Sequence, residues 1–311
     1  MVEHIAEGHS PSSITRTCGV HHDTVDRIAR VTAVQAESIH KAFAQNLAVT
    51  AVQADERHGF AGCKENQVWE ATSLDPRSKF VIALYLGGRT QELIRGLLEE
   101  TRDRLLNPQH IAFMTDGLTS YDSLFPEVFG VAFQPSKSTH YGRPRAIQYR
   151  IPHSLAHVQV IKRREGRKLK TVEIDIAHGS LKRIEAELTR LGYKIANTSA
   201  IERQKREQPD RCCLVSKNGT ARQHTMFMGR KGLSFAHLVR SRVVAAQITR
   251  LSYNWVRVHS SLRVPLLIPV DKRKYDQRTP AMAIGITTRV WDWLDLLTQP
   301  VWAMAMRDYS T

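Results

Sequence analysis

Hydrophobic and polar positions alternate with different periods along the chain. From Leu47, apolar and β-branched residues run as "LAVTAVQAD", and two further runs, "QVWEATSLD" and "KFVIALYLG", flank the turn-like Asp75-Pro76. Three consecutive strands in a meander are expected. In "TQELIRGLLEETRDRLL", Leu93, Leu97 and Leu98 recur at helical spacing, with Thr90 as a candidate cap. "HIAFMTDG" reads as a short buried strand that stops at Asp116-Gly117. "YDSLFPEVFG" reads as a helix and "VAFQ" as a further strand. "HVQVIKRREGRKLKTVEIDI" alternates around a charged tip and predicts a β-hairpin. Helices are expected at about 180–191 and 234–256. The tail, "TPAMAIGITTRVWDWLDLL", reads as a loop followed by an amphipathic segment.

Upstream, the period is helical throughout. In "SPSSITRTCGVHHDTVDRIARV", Ser10 can cap a short helix with Pro11 at its first position, and Gly19 fits a tight turn. Val20, Val25 and Ile28 then recur at helical spacing. Helix, glycine-containing turn and helix form the signature of a helix-turn-helix. Its second helix would offer His21, His22, Asp23, Thr24 and Arg27 to a major groove. The same pattern fits an αα-hairpin packed on a neighbour. Such a domain also needs a third helix, upstream of Ser10. Residues 32–46 read as a helical connector. The expected organisation is a helix-turn-helix region and connector over 1–46, a catalytic domain over 47–263 with a basic hairpin insertion near 155–178, and a C-terminal extension over 264–311.

Composition narrows the partners. The 311 residues are 42% hydrophobic, enough for a sizeable core. Lys plus Arg number 45 against 30 acids, a net charge of +15, which favours a polyanion. No run of about 18 apolar residues exists to span a bilayer, so nucleic acid is the expected partner and no membrane is expected. The opening "MVEHIAEGHS" lacks the cationic start and apolar core of a signal peptide. Cys18, Cys63, Cys212 and Cys213 form no C-x-x-C pair and read as reduced thiols of a cytoplasmic protein. The hairpin tip, with Lys162, Arg163, Arg164 and Arg167, is either a solvated turn or a phosphate-contacting arm.

The element order resembles the ribonuclease-H-like fold: an α/β protein with a mixed sheet flanked by helices, here behind an all-α helix-turn-helix. Asp55 is expected to end the first strand and Asp116 the fourth, and adjacent central strands could bring the two side by side. Glu202, in "NTSAIERQKREQ", lies near the start of a later helix and could cover them. Each acid also has a plain reading. Asp55 or Glu56 can face water at a strand end, Asp116-Gly117 is a common turn pair, and Ser199-x-x-Glu202 is a capping box. Together, three acids on one fold suit divalent metal. Two ions about 3.5–4 Å apart can serve the attacking and leaving oxygens of a phosphodiester. Mg²⁺ prefers hard oxygen ligands, and clustered carboxylates repel one another without a cation.

"QADE" followed by "GFAG", then "TDGLTSY", "NTSAIERQ", "YNWVRVHSSLR" and "TPAMAIGIT", occur in this order. They resemble the insertion-sequence-one family of DDE transposases, particularly its members with a long span between the last two acids. The resemblance implies catalytic, metal-binding acids at Asp55, Asp116 and Glu202, and two Mg²⁺ or Mn²⁺ ions. It implies cutting and joining of DNA at the ends of a mobile element, in a prokaryotic, nucleoid-associated setting. The partners would be double-stranded DNA, both terminal inverted repeats and target, and a second copy of the chain. Arg203 and Arg206 would then contact phosphates. Three departures stand out. The family usually has an aromatic residue before Ser-Phe, where Arg57-His58-Gly59 precedes Phe60; Lys205 replaces the usual Asn; and "VPLLIPVDKRKYDQR" separates "SSLR" from "TPAMA". Two other readings follow: a decayed transposase that only binds DNA, and a simple nuclease of the same fold.

Overall fold

The computed structural model describes residues 1–136, 145–165, 168–193, 196, 237–270 and 273–301. Three helices open the chain: α1 (Val2–Ala6), α2 (Pro11–Cys18) and α3 (His22–Phe43). The Ser10 hydroxyl accepts from Ser13 N at 3.0 Å, and Gly19 turns the chain at φ 67°, a left-handed conformation that glycine adopts without cost. Ile5, Ile14, Val25 and Ala29 form a small apolar core under these helices. The expected connector is not separate. α3 runs unbroken for 22 residues, and its second half buries Ala36 and Ile39 in the main core.

That core lies against a six-stranded sheet ordered β3-β2-β1-β4-β7-β8. Its strands are β1 (Ala51–Ala61), β2 (Cys63–Leu74), β3 (Val81–Gly87), β4 (Ala112–Thr115), β7 (Ala156–Glu165) and β8 (Lys168–His178). The first three form the expected antiparallel meander. β4 lies parallel to β1, and β7 parallel to β4. This mixed sheet, flanked by helices, is consistent with a ribonuclease-H-like fold. α4 (Gln91–Arg104) and α5 (Thr119–Phe129) cover one face through Leu93, Leu97, Leu98, Tyr121 and Phe125, packed on Val52, Ala54, Ile82 and Phe113. α6 (Leu181–Leu191) covers the other, with Ile184 and Leu188 against Ala51, Met114, Val158 and Val160. Ala51 and Val52 thus face opposite sides, as a period of two requires.

Several expectations change. The strand read at "VAFQ" is β5 (Val131–Phe133), but it pairs outside the main sheet with β6 (Gln148–Arg150). The fifth strand of the core is β7. The basic hairpin is therefore no insertion: it is β7 and β8, the edge of the sheet itself. Asp55 does not end its strand, since β1 continues to Ala61 in a long ribbon with β2. At the ribbon's end Gly62 takes φ 76°, and a Cβ there would sit 3.1 Å from the His237 carbonyl oxygen.

The expected helix near 234–256 is α7 (Val239–Leu251) followed by one π-helical turn, Ser252–Val256. That turn buries Trp255 completely and aims Asn254 at β3. The Asn254 carboxamide accepts from Val81 N at 2.9 Å and donates to Val81 O at 3.0 Å, standing in for a strand partner at the sheet edge. The residues that separate "SSLR" from "TPAMA" form a two-stranded ribbon of β9 (His259–Val270) and β10 (Arg273–Arg278). The boundary placed at 263/264 therefore falls inside a strand. "TPAMA" itself is a short helix, Pro280–Ala283, capped by Thr279, with Ala281 in the main core.

Candidate active site

The C-terminal end of β4 and the middle of β1 define the site. Parallel pairing runs to Gln53↔Met114, and two residues further each strand carries an acid, Asp55 and Asp116. Both continue the face of Ala51 and Met114. Ladder pairing between β1 and β4 stops short of the acids, while β1 goes on with β2 alone. The two strands part there and leave an opening with carboxylates on both sides. One oxygen from each of Asp55, Glu56 and Asp116 lies within 4.8 Å of the others, and all three residues are half-buried. Asp116 also keeps its plain role: its Oδ1 accepts from Leu118 N at 3.2 Å, turning the chain into α5. The turn reading and the ligand reading coexist.

Glu56 is an acid of this cluster that sequence reasoning treated only as a surface residue. It points to the face of Val52 and Ala54, where Tyr121 donates its hydroxyl hydrogen bond to Glu56 Oε1. Burial raises the Tyr121 pKa well above its usual value. Negative charge on Glu56, Asp116 and Asp55 raises it further. The signal was present in "TDGLTSY", which places Tyr121 in the first turn of the helix that Asp116 starts. This donor set is all hard oxygen and its charges are concentrated, which fits Mg²⁺ or Mn²⁺ and not a soft metal.

The surroundings explain the departures after "DE". Arg57 and Glu70 face each other across the β1–β2 ladder and form a buried ion pair. His58 packs edge-on against Trp69 with ring centroids 5.0 Å apart, supplying a flat ring where the family has an aromatic residue. Gly59 makes room for Arg242 of α7: a Cβ would lie 2.2 Å from its guanidinium. Arg242 is buried there and donates to the Phe60 carbonyl at 3.5 Å.

Residues 48–136 match the family model of the IS1 transposase. This stretch, which holds Asp55 and Asp116, is similar to the IS1 transposase family. No curated protein matches the chain. The likeness supports a transposase role, and such a family implies divalent-metal use and suggests DNA as the partner. No helix among the described residues is long and apolar enough to cross a membrane.

The other expected site residues are dispersed. Glu202, Arg203, Arg206 and Arg167 lie outside the described residues. Lys162, Arg163 and Arg164 lie on β7, and Arg163 makes an exposed 2.7 Å ion pair with Glu173. His21, His22 and Arg27 are exposed at the start of α3, with Thr24 half-buried beside them. The His21 ring accepts from Asp23 N and so caps α3.

Proposed function

We propose that the chain is a DDE transposase that cuts and joins DNA strands at the ends of an insertion sequence, with Asp55, Asp116 and Glu202 as its metal-binding acids. The observation that carries this is the convergence of Asp55 and Asp116 from adjacent parallel strands, inside the stretch that matches the IS1 transposase. Two divalent ions would activate the attacking oxygen and stabilise the leaving one. Asp55 on β1 and Asp116 just beyond β4 would hold them. Glu56, oriented by Tyr121, is a further oxygen ligand on the same opening. Water opens a phosphodiester and frees a 3′-hydroxyl, which then attacks a phosphorus of the target strand and expels its 3′-oxygen.

The domain organisation follows the same reading. The first turn of α3 enters a major groove of the terminal repeat as the second helix of a helix-turn-helix, through His21, His22, Thr24 and Arg27. Lys162, Arg163 and Arg164 on β7, with Arg167, Arg203 and Arg206, contact phosphates. They add affinity without sequence choice. Joining two element ends calls for a homo-oligomer.

The test is a strand-cutting and joining assay with labelled DNA carrying the native flanking ends, in Mg²⁺ or Mn²⁺, comparing the wild type with Glu202→Gln. Joined product from the wild type and none from the variant is expected. Cutting without joining would make the chain a nuclease of this fold. Binding to the element ends without cutting by either protein would leave a decayed transposase acting as a DNA-binding repressor.

A further inference from the structure

A second group of ligating side chains meets where α5 crosses the base of the β7–β8 hairpin. His157 on β7 and His178 on β8 face each other across the ladder, and Asp122 comes from the first turn of α5. One ring nitrogen of each histidine and one carboxylate oxygen lie within 4.8 Å of one another. His178 Nε2 is already 2.9 Å from Asp122 Oδ1. Phe125 stacks on both rings, at 4.8 Å from His157 and 5.8 Å from His178, so packing fixes their planes.

His157 gives the independent sign of a ligand. Its side chain is fully buried, its Nε2 lies 3.0 Å from the Thr115 hydroxyl, and its Nδ1 has no hydrogen-bond partner among the described residues. Thr115 spends its own proton on the Asp116 carbonyl at 2.8 Å, so its oxygen accepts from His157 and Nε2 carries the ring proton. Nδ1 is left as a bare lone pair in the interior, a costly arrangement unless something binds it. A metal-ligating histidine has this form, with one nitrogen fixed by an outer hydrogen bond and the other bare.

We propose that Asp122, His157 and His178 bind one transition-metal ion of the zinc class, with water completing the shell. Two imidazoles and one carboxylate suit Zn²⁺ and disfavour Mg²⁺. Zn²⁺ bonds of about 2.0–2.1 Å put tetrahedral ligands roughly 3.3–3.4 Å apart. The 2.9 Å His178–Asp122 separation is roughly 0.4 Å shorter than that spacing, and the exposed Asp122 can rotate to admit an ion and close the third side. The site lies on the α5 face of the sheet, opposite Asp55 and Asp116, so it is distinct from the acidic cluster. Its ion would staple α5 to the hairpin. α5 orients Glu56 through Tyr121, and Thr115 links His157 to the Asp116 backbone.

The experiment uses the full chain carrying Asp55→Asn and Asp116→Asn, which removes two of the three carboxylates of the acidic cluster from competition. Metal-stripped protein is titrated with Co²⁺ in excess Mg²⁺ and then with Zn²⁺. One Co²⁺ per chain with a visible absorption band, bleached by one equivalent of Zn²⁺, is expected. So is a rise in melting temperature on adding Zn²⁺. His178→Gln and Asp122→Asn, each with the circular dichroism of the parent, should weaken Zn²⁺ binding by at least the roughly 10–100-fold that loss of an outer partner alone brings, and abolish the rise. A parent without the Co²⁺ band, or unchanged affinity in both folded variants, overturns the proposal.

Discussion

The meeting of Asp55 and Asp116 at one opening is legible in the sequence because each is announced locally. One follows an apolar alternation and the other sits in a strand-stopping Asp-Gly pair. Glu56 was not, because its importance depends on Tyr121, 65 positions away, reaching the same opening. Tyr121→Phe keeps the buried ring and removes only the hydroxyl donor. Stability should change by about 0.5–1.5 kcal/mol, the net worth of one hydrogen bond. Metal-dependent strand cutting should fall about 10–100-fold, as for the loss of a ligand's outer partner. Cutting at the wild-type rate would remove Glu56 from the ligand set. Arg57 and Glu70 invite the opposite expectation. Both are almost fully buried, and removing one partner leaves an uncompensated charge. Glu70→Ala should lower the unfolding free energy by about 3–5 kcal/mol, read from the denaturant midpoint.

Elements with a buried apolar face were legible, and those whose partner is remote were not. The sequence pattern of β1 stops at Asp55 because the next residues, "ERHG", carry charge where a strand pattern expects alternation. Their polar groups are absorbed by Glu70, Trp69 and Arg242, which no local window contains. "VAFQ" has strand composition, yet its residues are exposed and it pairs in a minor ribbon. The hairpin was recognised as a hairpin, but β7's place beside β4 rests on parallel pairing, which has no turn to mark it in sequence. "YNW" was quoted as a motif without a role. The π turn supplies one, because the extra residue swings Asn254 onto the edge of β3. Asn254→Ala would leave the N–H and C=O of Val81 without these partners in a buried setting. A loss of about 1–3 kcal/mol per unsatisfied group is expected, with hydrogen exchange at Val81 accelerated ahead of that in β1. Unchanged protection at Val81 would mean that β3 is held by β2 alone.

The N-terminal helices, the sheet and the C-terminal residues share one core, and His40 of α3 stands at their junction. It is buried, its Nε2 is 2.7 Å from the Ile82 carbonyl of β3, and its ring stacks on Phe80. Arg104, from α4, donates to the His40 carbonyl, and Gln35, one turn earlier on α3, donates to the Leu296 carbonyl. Burial pushes the His40 pKa well below its usual value, and the charges of Arg250 and Arg104 push it further. Burial likewise lowers His259 to about 4. A histidine neutral in the fold but free to protonate when unfolded makes the unfolded chain bind more protons. Stability from these groups is therefore complete above the unfolded pKa of about 6.5 and is lost as pH falls below it. Most carboxylates titrate lower, so the interval from pH 6.5 to 5.5 isolates the histidines. Over that interval each such histidine should remove about 1 kcal/mol. His40→Gln keeps a donor for the Ile82 carbonyl but has no proton to gain. Denaturant midpoints measured at pH 7.5, 6.5 and 5.5 should fall with acid in the wild type and fall less in the variant. Parallel curves would show that His40 contributes nothing to the acid sensitivity, and that the α3–β3 junction tolerates a charged imidazole.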